Sequence, residues 1–327
     1  MSSPVILITG ASGFVGQYLL PALRQRWPQA QLEAACLASE LPESLADCRW
    51  HQLNILDAQA VARCVNELKP DLTIHLAAQA NVGLSFSQAD LTWQVNLQGS
   101  LNVFNALATL PAAALLYVSS SDVYGGSFRL GRPLTEQDVL QPLNPYAASK
   151  AAADLAAGTL AATSGVRVAR ARPFNHSGPG QALGFVLPDF AAQIAQIEAG
   201  QLAGLKIGNL QAARDFMHVR DVVAAYVALA TELLTPDSAL QSGEAINIAS
   251  GSATPVQQVL DTLLQQAKVE VVVETDPTRL RASDIPLAAG DATRLRELTG
   301  WQPTLDLQHI VNDVLQDWRQ RATLNNG

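Results

Sequence analysis

The stretch Ile8-Thr9-Gly10-Ala11-Ser12-Gly13-Phe14-Val15-Gly16 limits this chain more than any other. Val5-Ile6-Leu7-Ile8 before it is a short β-branched apolar run, the pattern of a buried parallel strand. Gln17 to Leu23 after it reads as a helix. Strand, glycine loop and helix together form a dinucleotide cradle, with Gly10, Ser12, Gly13, Phe14, Val15 and Gly16 as candidate cofactor contacts. Gly10 serves the tight turn, Gly13 the close approach of a pyrophosphate, and Gly16 the packing of helix on strand. The helix N-terminus offers N–H donors and the positive end of its dipole to the phosphates. The spacing is GxxGxxG, and its position after a first strand and before a first helix gives it weight.

Strand and helix patterns alternate through the first half: strands at Gln31–Leu37, one ended by Asn54-Ile55-Leu56-Asp57, and others at Asp71–Ala78, Ala114–Ser119 and Val166–Arg172. A helix over 58–69 is stopped by Pro70, another runs through Asn96 and Asn105, and an alanine-rich one spans Ala147–Ala162. This rhythm predicts an α/β fold, a doubly wound parallel sheet of the Rossmann type. Ligands bind such sheets at the carboxyl ends of the strands, which picks out Gly10, Ala77, Ser120 and Pro173 as one edge. Asn54 and Ile55 are positioned to meet an adenine there, and Leu76, Ala77 and Ala78 let a cofactor pass close over the sheet. The second strand ends Ala35-Cys36-Leu37-Ala38-Ser39, with neither the acid that suits a free ribose nor the base that suits a 2′-phosphate, so NADH and NADPH stay open. Beyond Asn175 the pattern changes to a Gly/Pro-rich loop to Gly184, helices at Pro188–Gly200 and Val219–Leu234, a β run at Ala245–Ala249 returning to the sheet, and a last helix at Leu307–Arg321. The expected division is a Rossmann domain of residues 1–174 plus about 213–249, and a smaller discontinuous α/β substrate lobe of about 175–212 plus 250–327.

Tyr146-Ala147-Ala148-Ser149-Lys150 sets a phenol and an ammonium one helical turn apart, on one face. A phenol titrates near about 10, so work near neutrality calls for a shift of roughly three units, part of which a neighbouring ammonium supplies. Lys150 can also donate to a ribose. The strand-end run Ser119-Ser120-Ser121 lies on the ligand edge, where a hydroxyl can bond a reacting carbonyl. Glycine cradle, strand-end serine and YxxxK in this order are far more specific than any one of them.

The bulk numbers agree. A chain of 327 residues with 48% apolar and 15% charged residues can bury a sizeable core. A net charge of −8 without a Lys/Arg cluster argues against nucleic acid. Cys36, Cys48 and Cys64 lack CxxC spacing, and the five histidines form no HxxxH pair, so free thiols and no metal site are expected. With no basic leader and no membrane-length apolar run, the expectation is a cytoplasmic protein without a membrane partner.

TGASGFVG, HLAAQ, SSSDVYG, NPYAASK and RPFNHSGPGQ resemble the extended short-chain dehydrogenase/reductases, the nucleotide-sugar epimerases, dehydratases and reductases, over nearly the whole length. ARDFMHVRDVVAAY and RLRASDIP resemble its GDP-mannose branch, first the reductases of GDP-4-keto-6-deoxymannose and then the GDP-mannose 4,6-dehydratases. The resemblance implies an NAD(P)H-dependent reduction of a 4-keto nucleotide-diphosphate sugar, giving GDP-rhamnose, on a homodimer. Its alternatives are a 4,6-dehydratase, a 4-epimerase, or a non-catalytic nucleotide sensor on the same fold. It implies Ser120, Tyr146 and Lys150 as catalytic residues. It adds Gln79, Asn96, Pro173, Asn175 and His176, beside Phe174, on the cofactor side. Its substrate contacts fall on Ser85, Ser121, Asp122, Asn175, Val186, Lys206, Arg214, Arg281 and Asp284, with Arg214 and Arg281 gripping the diphosphate and Asp284 standing where Glu is usual. The related dehydratases carry a Glu at the position of Asp122 and usually a Thr at that of Ser120. Two arginines suit a diphosphate because their planar forks bind it multidentately.

Overall fold

A computed structural model describes residues 3–37, 47–277 and 285–324. Alternation begins with β1 (Val5–Thr9), α1 (Phe14–Arg26), β2 (Gln31–Cys36), β3 (Arg49–Gln52), α2 (Ala58–Leu68) and β4 (Leu72–His75). It continues with α3 (Val82–Ser87), α4 (Ala89–Trp93), a π-turn over Gln94–Gly99 that runs into α5 (Ser100–Leu107), and β5 (Ala114–Val118). A 3₁₀ segment, Ser121–Leu130, leads to α6 (Pro145–Thr163) and β6 (Arg167–Pro173). Then follow β7 (Asn175–Ser177), α7 (Val186–Glu198), β8 (Leu205–Ile207), β9 (Ala213–Arg214), β10 (Phe216–His218), α8 (Val219–Leu234) and β11 (Glu244–Ile248). The chain closes with β12 (Thr254–Pro255), α9 (Val256–Gln265), β13 (Val273–Thr275), β14 (Leu287–Ala288), α10 (Thr293–Thr299) and α11 (Leu307–Leu324).

The main sheet has seven strands in the order β11-β6-β5-β4-β1-β2-β3. All are parallel. The order reverses between β1 and β4, the crevice where a doubly wound sheet takes its ligand. Both faces are covered, so β1 and β4 are almost wholly buried. One face packs Ile6, Ile8, Ile74 and Leu116 under α1 and α8, through Leu19, Leu23, Val222 and Tyr226. The other packs Leu7, Leu115, Tyr117 and Val168 under α2, α5 and α6, through Val61, Val103, Ala153 and Ala157. A third core, with Phe190, Ile194, Leu205, Val259, Ile310 and Val314, joins α7, β8, α9 and α11.

Local signals fix the ends of these elements. Asp57 caps α2 by accepting from Gln59 N and Ala60 N at 3.0 and 2.9 Å. Asn144 caps α6 by accepting from Ala147 N at 2.8 Å, and Pro145 follows at the first turn. The expected single helix through Asn96 and Asn105 is instead broken at Gln88 and bulged by the π-turn. Its cause is polar: Asn96 is fully buried and its amide reaches Gln79 N, Gln79 O and Ser149 Oγ at 2.7, 3.0 and 3.0 Å. The Gly/Pro-rich stretch after Pro173 also contains β7, paired to β10, where a plain loop was expected. Among the described residues no helix is long and apolar enough to cross a membrane.

Candidate active site

A cavity of about 1400 Å³ opens along the carboxyl edge of the sheet. Gly10, Ala77, Ser120 and Pro173 all line it, so the strand-end rule finds one site. Gly10 has φ +71, and a Cβ there would stand 2.7 Å from Ala77 N; its own N–H donates to Ala35 O at 2.8 Å. A side chain would part the loop from β4. Gly13 is the N-cap of α1, and no side chain caps that helix. A Cβ on Gly13 would meet only Gly10 O, at 3.2 Å. The loop is therefore shaped to bring a phosphate against the first turn of α1, and the residues fit a dinucleotide. Ser12, Phe14, Val15, Gly16, Asn54, Ile55, Leu76, Ala78, Asn175 and His176 line the same cavity. Phe14 stacks on His176 with ring centroids 6.3 Å apart. Burial pulls the His176 imidazole below its ordinary pKa, only partly offset by its contact with Phe174 O, so it sits there as a neutral ring.

The chemical groups converge at the N-terminus of α6. Tyr146 and Lys150 are 9% and 4% exposed, and both line the cavity. Ser120 Oγ accepts from Asp122 N at 3.2 Å, and Ser120 lines the cavity with Tyr146. Lys150 Nζ donates to Val118 O and lies 4.7 Å above the Tyr117 ring. Burial pulls the Lys150 pKa down to about 7, against the pull of Asp154 in the other direction. The Tyr146 phenol differs from the expected downward shift. Burial and the Asp122 carboxylate hold it above its ordinary value, and Ser120 alone works the other way. The phenol therefore keeps its proton, the state that a proton donor needs.

Substrate-side residues divide. Ser121, Asp122, Val186 and Arg214 line the cavity with Asn175. Arg214 Nη1 donates to Ala213 O and Ile285 O at 3.0 and 2.7 Å, which fixes the guanidinium at the cavity wall. Asp215 and Asp221 are engaged elsewhere: the first takes Ser250 N and Gly251 N, the second Thr304 N and Leu305 N. Four expected contacts do not reach the cavity wall. Ser85 is fully buried and donates to Val82 O; Lys206 is exposed on β8; Gln79 spends its side chain on Asn81 and Thr92; Asn96 is held as described above. Asn96 and Gln79 thus shape the loop after β4. Arg281 and Asp284 lie outside the described residues.

Sequence reasoning missed what lies behind Tyr146 and Lys150. Asp154, fully buried on α6, takes Arg172 Nε and Nη2 at 3.0 and 2.9 Å and Arg170 Nη1 at 2.7 Å. Arg172 goes on to the Tyr124 hydroxyl at 3.0 Å, which donates to Asn247 Oδ1 at 2.7 Å. A signal was present: Ala169-Arg170-Ala171-Arg172 alternates in a strand, which turns both guanidinium groups to one face of the sheet.

The family model for GDP-mannose 4,6 dehydratase matches residues 7–314. The chain belongs to that family. The GDP-6-deoxy-D-mannose reductase of Pseudomonas aeruginosa is 36% identical over 97% of this chain and 98% of its own. A solved structure, RMD from Pseudomonas aeruginosa complexed with NADPH, superposes with a TM-score of 0.82 at 33% identity, covering 98% of this chain and 100% of that one. The GDP-mannose 4,6-dehydratase of Vibrio cholerae is 25% identical over 98% of this chain and 95% of its own. The resemblance to the extended short-chain dehydrogenase/reductases and the doubly wound sheet are both borne out. The glycine cradle in the cavity agrees with a nicotinamide dinucleotide as cofactor.

Proposed function

We propose that this protein is an NAD(P)H-dependent oxidoreductase that reduces the 4-keto group of a nucleotide-diphosphate sugar, GDP-4-keto-6-deoxy-D-mannose, to GDP-D-rhamnose. The observation that carries this reading is the convergence of Ser120, Tyr146 and Lys150 on the glycine-loop cavity, with Tyr146 held protonated. The nicotinamide cofactor, when bound, supplies the hydride. Ser120 orients the sugar carbonyl, Tyr146 gives its proton to the oxygen, and Lys150 offsets the charge left on the phenol and donates to the cofactor ribose. Ser12, Gly13, Phe14 and Val15 hold the pyrophosphate, with Gly10 and Gly16 shaping the loop that presents them. Arg214 binds the sugar-nucleotide diphosphate, with Arg281 as its partner in the grip and Asp284 at the nucleotide ribose.

The match to a dehydratase family model favours a second reading, a GDP-mannose 4,6-dehydratase. Dehydration must take the proton at sugar C5 and help the C6 hydroxyl to leave, which calls for a carboxyl group reaching past C4. Asp122 lines the cavity but is one methylene shorter than Glu, and misplacement by about an ångström can cost about 10²-fold in rate. Reduction needs no such base. The test is to incubate the purified protein with GDP-4-keto-6-deoxymannose and NADH or NADPH, and separately with GDP-mannose without reduced cofactor. Loss of the keto sugar in the first mixture supports the reductase. A 4-keto-6-deoxy product in the second overturns it in favour of the dehydratase.

The reading includes a Rossmann domain of 1–174 plus about 213–249, with the remainder as substrate lobe, and a cytoplasmic homodimer. The dimer is supported by exposed Leu84, Trp93 and Leu155 on α3, α4 and α6.

A further inference from the structure

The helix that carries Tyr146 and Lys150 carries a third ionisable group on the same stripe. Asp154 follows Lys150 by four residues, as Lys150 follows Tyr146, so each lies one turn further along. Its carboxylate is fully buried, and in so apolar a setting it stays charged only because it is paired. Both oxygens are taken by guanidinium groups of β6: Arg172 binds through two nitrogens, and Arg170 through one. Burial opposes the carboxylate charge and the two arginines outweigh it, so its pKa lies below the ordinary value. One anion is thus shared by Arg170 and Arg172, with Lys150 one helical turn away on the same stripe.

Other groups around Lys150 add little to that balance. His75 on β4 is buried with its pKa lowered to about 3, so it is neutral, and Tyr117 on β5 is buried and held protonated. Tyr146 on α6 is also protonated, and Asp122, after β5, acts on Tyr146.

We infer that Asp154 is a positioning residue, whose carboxylate, shared with Arg170 and Arg172, sets how much negative charge is left to keep Lys150 an ammonium beside Tyr146. The inference rests on the proposed reductase reading only for its consequence in catalysis. Its sign is definite. Removing the anion must lower the pH at which Lys150 loses its proton; removing a competing cation must raise it.

The chain has four lysines, Lys69, Lys150, Lys206 and Lys268, so lysine labelled with ¹³C at Cε gives a spectrum simple enough to titrate Lys150 directly. The Lys150→Met variant identifies its signal. In the unliganded protein the Lys150 midpoint should lie far below those of the exposed lysines. Asp154→Asn should move it down by about one unit or more, the scale of a charge one helical turn away. Asp154→Glu should restore it in part. Arg170→Met, which keeps the stem against α6, should move it up by about half a unit. Should Asp154→Asn fail to fold, Arg170→Met decides alone, since a structural role predicts no upward shift. An unmoved midpoint in Arg170→Met, or a downward one, overturns the inference. The alkaline limb of keto-sugar reduction is measured in parallel. If the midpoint shifts and that limb does not follow, the charge coupling stands and the role given to Lys150 in the reductase reading fails.

Discussion

Gly16 gives the sharpest test of the cradle. It lies within α1, where alanine in place of glycine ordinarily stabilises a helix by about 1 kcal/mol. Here a Cβ would stand 2.1 Å from Ala11 O and 2.6 Å from Ala11 C. Both are backbone atoms of the loop, so no side-chain rotation relieves the overlap, and α1 must move away from the loop by about an ångström. Overpacking of this kind costs about 3 kcal/mol, at the top of the usual range. Net of helix propensity the loss is about 2 kcal/mol, which for a chain of this length lowers Tm by about 3 °C. The same displacement moves the first-turn amides off the pyrophosphate, so cofactor affinity should fall tenfold or more. Gly13→Ala separates the two effects: its Cβ meets only Gly10 O at 3.2 Å, so Tm should hold within about 1 °C while the methyl obstructs the phosphate. Thermal melts and titration with NADPH, followed by its fluorescence, measure both quantities in both variants. A Gly16→Ala protein with raised Tm and unchanged cofactor affinity would refute the close approach of helix and loop, and with it the cradle.

Tyr146→Phe should lower turnover by about 10²-fold or more while the cofactor still binds, read from initial rates and a cofactor titration. Near-normal turnover would end its role as proton donor. Arg214→Ala should weaken nucleotide-sugar binding by a few kcal/mol and leave cofactor affinity almost unchanged, by calorimetry; equal sugar-nucleotide affinity would put the grip elsewhere. Glu198 is bound by Arg319 at 2.6 Å; burial opposes its charge, and Arg319 and the Lys268 N–H outweigh that, so its folded pKa lies below the ordinary value. A depressed carboxyl pKa contributes stability above the unfolded value, and that contribution is lost as pH falls through the folded one. Glu198→Gln should therefore lower Tm by a few degrees at pH 7, with the gap to the unaltered protein closing below about pH 4; a gap independent of pH would refute the ion-pair account.

What the sequence made legible was set by short-range rules. Val5-Ile6-Leu7-Ile8 is apolar without a break because β1 is covered on both faces, and the helix–strand alternation follows from the same burial. Tyr146 and Lys150 share a face because they are one turn apart, whatever surrounds them. The failures arise where a polar side chain chooses a distant partner. The resemblance places Asn96 on the cofactor side, yet its amide is bonded to Gln79 and Ser149 where the helix bulges. Ser85 is similar in kind, a hydroxyl turned back to Val82 O.

The same limit explains why the charge balance behind Lys150 stayed hidden. Periodicity reports which face a residue occupies, and so orients Arg170 and Arg172 together on β6 and Asp154 with Lys150 on α6. It does not report that these two faces meet, because that depends on β6 lying beside β5 and on α6 crossing over both. Once they meet, a buried carboxylate between two arginines is required by electrostatics, since either charge alone in that apolar layer would be prohibitive. The tyrosine–lysine pair is therefore part of a five-residue arrangement, with Asp154 on the same helix and Arg170 and Arg172 on a strand about twenty residues further along.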